Sequence, residues 1–247
     1  MSIKPEQLNV KLFADGADKT QMLAMLKNPL IKGFTTNPTL MRQAGLSNYK
    51  EFALDVLVHI KNLPVSFEVF ADELDEMEAQ AHEIASWANN VYVKIPVTNT
   101  LGVSTAPLIK KLAKMGVKLN ITAILTLEQV KIVAESLSAH VPAVVSVFAG
   151  RIADTGRDPI PFMEQALKLL NDLPQAELLW ASPRELLNII QAHECGCHII
   201  TATPAILNKM FLFGKDLAEY SLETVKMFYN DAQASGFDIP IKEKEFA

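Results

Sequence analysis

A lysine stands in the middle of one of the most apolar runs of the chain, Val91-Tyr92-Val93-Lys94-Ile95-Pro96-Val97. Extended backbone turns successive side chains to opposite faces, so Tyr92, Lys94 and Pro96 share one face while the valines and Ile95 take the other. An amine amid that much hydrocarbon loses hydration, which disfavours its ammonium form and lowers its pKa. A neutral amine near pH 7 is a nucleophile toward carbonyl carbon, the requirement of Schiff-base catalysis. The same pattern suits a structural lysine that pairs with a carboxylate or extends its amine to solvent.

Other polar residues sit in runs that are otherwise apolar, where each needs a partner to offset its burial. Asp15 closes Leu12-Phe13-Ala14-Asp15, and Glu68 lies inside Ser66-Phe67-Glu68-Val69-Phe70. Asn120 and Thr122 are two apart and share a face, as do Thr35 with Asn37 and Ser146 with Phe148. If these faces point into one enclosure, a lysine, two carboxylates, two amides and several hydroxyls converge there. Taken singly, Asn37 or Thr122 is equally a satisfied polar group at a strand end. Two arginines could hold an anion through paired charge-assisted hydrogen bonds: Arg151 after Phe148-Ala149-Gly150, and Arg184 in Ser182-Pro183-Arg184. Ser182 suits a helix N-cap with Pro183 at the first helical position, where free N–H groups favour a phosphate. Plain capping by Ser182 and a surface ion pair for Arg184 are the alternative. His193-Glu194-Cys195-Gly196-Cys197-His198 crowds zinc-type ligands together, but no second pair elsewhere in the chain completes a tetrahedral set. Gly196 is expected to end a helix and Cys197 to begin a strand. No metal and no cofactor are expected.

Short β-branched runs bounded by turn residues predict strands at 11–16, 33–37, 65–70, 91–97, 118–124, 143–150, 177–182 and 198–203. Helical spacing fills the intervals at 18–27, 48–61, 74–87, 104–115, 127–137, 161–170 and 184–193. Strict alternation builds a parallel sheet, and eight units in about 250 residues match an α/β, single-domain (β/α)8 (TIM) barrel with its active site at the C-terminal mouth. A doubly wound open sheet is the competing architecture, but strand 1 runs into Asp15-Gly16-Ala17-Asp18 with no G-x-G-x-x-G. No linker interrupts the chain, so one domain is expected over 1–247. Further helices are expected at 204–214 and 217–234, before Phe237-Asp238-Ile239-Pro240 and a charged terminus. The second is surplus to an eight-unit barrel. It begins a C-terminal extension, at about 215–247, that would pack across the barrel or against another subunit.

The 247 residues are 49% hydrophobic and 21% charged, enough for a sizeable core and against general disorder. A net charge of −5, from 23 Lys plus Arg against 28 Asp plus Glu, offers no broad basic surface for nucleic acid or anionic lipid. Two cysteines make no disulfide framework, and Met1-Ser2-Ile3-Lys4-Pro5-Glu6 is followed by no apolar signal core. No run reaches the ~18 apolar residues that span a bilayer. The expectation is a cytoplasmic enzyme with no nucleic-acid or membrane partner.

Read in order, the motifs resemble the transaldolase family. Thr35-Thr36-Asn37-Pro38-Thr39-Leu40 is similar to its strand-2 signature, with Thr39 where Ser is more usual. Val93-Lys94-Ile95-Pro96 is similar to its lysine strand, and Leu119-Asn120-Ile121-Thr122 to its strand-5 segment. Ser146-Val147-Phe148-Ala149-Gly150-Arg151-Ile152 is similar to the strand-6 segment, with Val147 in place of a common proline. The resemblance implies that Lys94 forms an imine with a ketose phosphate and that Asp15 takes the C4 hydroxyl proton. It also implies that Glu68 and Thr122 hold a proton-shuttling water. Asn37 and Asn120 would orient the three-carbon unit, Ser146 and Phe148 would also belong to the substrate-binding set, and Arg151, Ser182 and Arg184 would grip the phosphate. The chain is closest in length to the small subfamily, whose members the resemblance implies form ring-like homo-oligomers, pentamers or decamers, through C-terminal helices. The expected activity is transfer of dihydroxyacetone from sedoheptulose 7-phosphate or fructose 6-phosphate to an aldose phosphate. The alternatives are a fructose 6-phosphate aldolase, a transaldolase for an unusual, for example sulfonated, sugar, and a non-catalytic barrel that binds a phosphorylated metabolite. Glu68 and Phe148 are where small aldolases of the family tend to carry Gln and Tyr.

Overall fold

The computed structural model describes residues 3–240, so the last seven residues of the expected C-terminal extension lie outside the described residues. Eight parallel strands close into a barrel in sequence order, β8 pairing back onto β1. They are β1 (Lys11–Asp15), β2 (Ile31–Thr35), β3 (Val65–Glu68), β4 (Val91–Pro96), β5 (Leu119–Ile124), β6 (Ala143–Val147), β7 (Ala176–Trp180) and β8 (Ile199–Ala202). The crossovers are α1 (Lys19–Leu26), α2 (Pro38–Gln43), α3 (Tyr49–His59), α4 (Leu74–Ala85), α5 (Ala106–Lys114), α6 (Leu127–Ala134), α7 (Ala149–Asp154), α8 (Ile160–Leu169) and α9 (Leu187–Glu194). α10 (Pro204–Leu207) and α11 (Leu217–Ser235) follow.

Two helices were absent from the sequence expectation. α2 and α7 have six residues each, too few for an apolar stripe to repeat. Their starts truncate the strands expected at 33–37 and 143–150. Asn37 is the N-cap of α2, its Oδ1 accepting from the Leu40 N–H at 3.0 Å, and Pro38 occupies the first helical position. Phe148 likewise precedes α7 instead of extending β6.

Alternation along each strand divides the barrel into layers. Outward side chains such as Phe34, Phe67, Ile95, Ile121 and Val145 are fully buried between sheet and helices. Each contributes roughly 1.5–3 kcal/mol of hydrophobic burial. Inside, Phe13, Val144, Leu179 and Ile199 form an apolar plug against which Tyr92 packs. The Phe13 ring lies over Gly33, where a Cβ would come within 2.4 Å of it. Next along the strands toward their C-terminal ends come Asp15, Thr35, Glu68, Lys94, Asn120 and Ser146, so the polar layer rests on a dry floor.

Residues 5–211 make up the barrel unit, and residues 212–240 belong with Ile3 and Lys4 to a second unit. In that second unit Asp216 caps α11 by accepting from the Ala218 and Glu219 N–H groups, and Gly236 closes it with φ 65°. Tyr220, Val225, Phe228 and Tyr229 of α11 are exposed. No described helix is long and apolar enough to cross a membrane.

Candidate active site

Parallel pairing sets Glu68 beside Lys94 and Lys94 beside Asn120 in one cross-strand row. Lys94 is 7% exposed. Its Nζ lies 3.1 Å from Glu68 Oε2 and donates to the Thr36 carbonyl at 2.8 Å. The amine is therefore not stranded in hydrocarbon as its own run suggested: the polar residues in register on β3 and in the β2–α2 junction supply a carboxylate and a carbonyl. Glu68 is itself held from outside the barrel. Tyr49 of α3 donates its hydroxyl to the Glu68 carbonyl at 3.0 Å, and Gln80 of α4 accepts the Phe70 and Ala71 N–H groups at 2.6 and 2.9 Å. These bonds fix the backbone on both sides of the turn after β3.

Asp15 ends β1 with both carboxylate oxygens occupied. Thr35 Oγ1 donates to one at 2.7 Å and Asn37 Nδ2 approaches the other at 3.4 Å. Thr201 Oγ1 lies 2.5 Å from Thr35 Oγ1. With the Thr35 proton directed at Asp15, Thr201 is left to donate, and a relay Thr201 to Thr35 to Asp15 results. Burial pushes the Asp15 carboxyl above its ordinary value, against the opposing pull of the Lys94 charge and of the Thr35 and Asn37 hydrogen bonds. On the other side of Lys94, Ser146 Oγ donates to Asn120 Oδ1 at 2.7 Å and Asn120 Nδ2 donates to Ser66 Oγ at 2.9 Å, all three buried. Thr201 and Ser66 join the site without a sequence signal of their own, although Ser66 shares the inward face of β3 with Glu68. A lone hydroxyl in a strand is common enough to carry no signal.

A cavity of about 440 Å³ opens above this layer. Glu68 and Thr122 from the barrel strands, Thr39, Leu40 and Gln43 from α2, and Phe148, Arg151 and Ser182 from the segments after β6 and β7 line it. Two non-glycine residues on its wall have left-handed backbone, Ala123 at φ 62° and Ser182 at φ 58°. Such strain of order 1–3 kcal/mol persists where surrounding structure enforces it. Ala123 sits in the register shift between Ile121 and Ile124, the irregularity that presents Thr122 to the cavity. Arg151 lies with Cζ 5.1 Å from the centroid of the Phe148 ring.

The expected capping role of Ser182 is corrected by the structure. α9 begins at Leu187 with Leu186 as its N-cap, because Asn188 Oδ1 accepts the Arg184 and Glu185 N–H groups at 2.7 and 3.1 Å and keeps that stretch a loop. Arg184 is not among the residues lining the cavity: Asp154 of α7 holds its guanidinium bidentately, Nε donating at 3.0 Å. Gly150 is obligatory here, since a Cβ on it would come within 1.6 Å of the Ser182 carbonyl oxygen.

The model of the family described as transaldolase/fructose-6-phosphate aldolase matches residues 12–240. The chain belongs to the transaldolase/fructose-6-phosphate aldolase family. Among its relatives, the probable transaldolase of Streptococcus agalactiae serotype V is 34% identical over 220 residues, 87% of this chain and 95% of the relative. That of Dehalococcoides mccartyi is 33% identical over 202 residues, 81% and 90% of the two chains. Solved structures of lower identity share the fold. KGPDC from Streptococcus mutans superposes with a TM-score of 0.55 at 10% identity, covering 81% of this chain and 90% of its own. The 3-keto-L-gulonate-6-phosphate decarboxylase of Vibrio cholerae gives 0.52 at 14% identity, covering 84% and 90%. In this family member the run from His193 to His198 spans the end of α9 and the approach to β8. Cys195 caps α9, and Gly196 follows it at φ 77°. Cys197 is buried with its thiol 3.3 Å from the Leu178 carbonyl oxygen, and His198 Nδ1 accepts the Leu178 N–H at 3.0 Å.

Proposed function

We propose that the chain is a Schiff-base transaldolase that moves a dihydroxyacetone unit between sugar phosphates. The observation that carries this reading is the buried contact of 3.1 Å between Lys94 and Glu68, where Glu68 lines a cavity that Arg151 also lines. Glu68 takes a proton from the Lys94 ammonium, and the freed amine attacks C2 of the ketose. A water between Glu68 and Thr122 carries protons as the carbinolamine loses its hydroxyl and the iminium forms. Asp15 then accepts the C4 hydroxyl proton. The C3–C4 bond breaks, its electron pair enters the iminium as an enamine, and the aldehyde departs. The raised pKa of Asp15 makes it a stronger base for this step. Asn37 and Asn120 orient the three-carbon unit, with Ser146 fixing the Asn120 amide. The enamine attacks an aldose phosphate, and hydrolysis returns Lys94.

The iminium is the electron sink, so neither metal nor cofactor is required. Phe148 favours transfer over release, because an apolar ring offers the enamine no polarised water. Fructose 6-phosphate aldolase activity, with release of free dihydroxyacetone, is the second reading. In this reading 1–247 is a single functional domain, and the exposed aromatic residues of α11 support self-association of the chain. The free, buried thiols of Cys195 and Cys197 fit a reducing, cytoplasmic setting. The test is a panel of ketose donors, phosphorylated, sulfonated and neutral, assayed with and without an aldose phosphate acceptor. Acceptor-dependent turnover of phosphorylated ketoses is expected, and turnover by none of the donors would remove the proposal.

A further inference from the structure

Arg184 stands two residues beyond Ser182, which lines the cavity, yet its guanidinium is engaged elsewhere. Asp154 accepts from Nε at 3.0 Å and also from Nη2. Asp154 follows Arg151 by three residues on α7, the spacing that brings two side chains to one helix face. Its carboxyl is held below its ordinary value by the Arg184 hydrogen bonds first, against a smaller desolvation effect, and then by the charges of Arg184 and Arg151. One carboxylate thus holds the Arg184 guanidinium directly and feels the charge of Arg151, which lines the cavity. Arg184 and Asp154 are each half exposed, and ion pairs in such surroundings are weak and exchangeable. A phosphoryl dianion brings more charge and three strong acceptor oxygens.

We propose that Asp154 is a resident counter-anion which the substrate phosphate displaces, passing Arg184 from carboxylate to phosphate. The inference rests on reading the cavity as a sugar phosphate site. It makes Asp154 a specificity-determining residue: a doubly charged phosphate competes for Arg184, whereas a singly charged sulfonate or carboxylate competes less well. Substrate charge, and not only substrate shape, would then be selected before any bond is made or broken.

Binding without turnover tests this. Inorganic phosphate at pH 8 is titrated calorimetrically into wild type, Asp154→Asn, Arg184→Ala, the double variant and Arg151→Ala, with thermal melts to verify folding. Asp154→Asn should tighten phosphate binding by about three- to tenfold, since the competing conformer of Arg184 is no longer favoured. Asp154→Ser should do the same, and in the Arg184→Ala background the gain should vanish. Unchanged or weaker binding in both Asp154 variants would overturn the proposal. So would a gain that persists without Arg184, because it would then report only the loss of a nearby negative charge. If Arg151→Ala binds phosphate as tightly as wild type, the sugar phosphate reading of the cavity fails and takes the proposal with it. If Arg151→Ala weakens binding while Asp154→Asn does not tighten it, the proposal alone falls.

Discussion

The carbonyl oxygen of Ser182 occupies the space that a Cβ on Gly150 would need, at 1.6 Å, so the start of α7 and the loop after β7 are pressed together without an intervening side chain. The Gly150 N–H also donates to the Ala181 carbonyl at 3.2 Å. This junction places Arg151 and Ser182 at the same end of the cavity.

Gly150→Ala should therefore separate the two segments. We expect destabilisation of about 1–3 kcal/mol, as for overpacked sites. KM for phosphorylated donors should rise by roughly tenfold, on the scale of a lost charge-assisted contact. Wild-type melting and kinetics in this variant would contradict the close contact.

Borohydride added with fructose 6-phosphate should inactivate the protein and leave a three-carbon adduct on Lys94, because reduction traps the imine. Peptide mass mapping reads the result. An adduct on another lysine, or none while turnover continues, would remove the Schiff-base mechanism.

Asp15 makes a prediction about stability and pH. Its folded-state pKa is raised by burial, so protonation favours the folded state. The associated stability is complete below its unfolded value of about 3.9 and is lost as pH rises through the folded value. Asp15→Asn, which mimics the protonated acid, should abolish activity yet melt higher than wild type at pH 7, by roughly 2–4 °C for each kcal/mol recovered. The advantage should shrink toward pH 4. A variant that melts lower than wild type at pH 7 would mean that the ionised carboxylate is needed to hold the mouth of the barrel together.

The ratio of transfer to cleavage should respond to Phe148. Phe148→Tyr places a hydroxyl where it can polarise a water against the enamine and should raise dihydroxyacetone release relative to transfer. Glu68→Gln should slow transfer by removing the proton acceptor 3.1 Å from Lys94. Dominant release of free dihydroxyacetone by the wild type would favour the aldolase reading instead.

The eight strands were legible because each is a short apolar run covered on both faces, and Asp15, Glu68, Lys94 and Asn120 were legible because charge and amide interrupt that pattern. What stayed hidden was decided by distant partners. Ser182-Pro183 reads locally as a helix start, but the Asn188 amide captures the next N–H groups and postpones the helix to Leu187. The Arg184–Asp154 pair joins residues 30 apart on different elements, a relation no local spacing encodes. The relay from Thr201 to Asp15 likewise spans β8, β2 and β1, which become neighbours only when the barrel closes.

The apolar plug beneath Lys94 has a kinetic consequence. Phe13, Val144, Leu179 and Ile199 seal the barrel axis below the polar layer, so in the proposed transfer reaction donor and acceptor would share the mouth as their doorway. Under that reading the first aldehyde leaves before the second enters, and the expected kinetics are double-displacement: parallel reciprocal plots for the two substrates, and each aldose inhibiting competitively against the other.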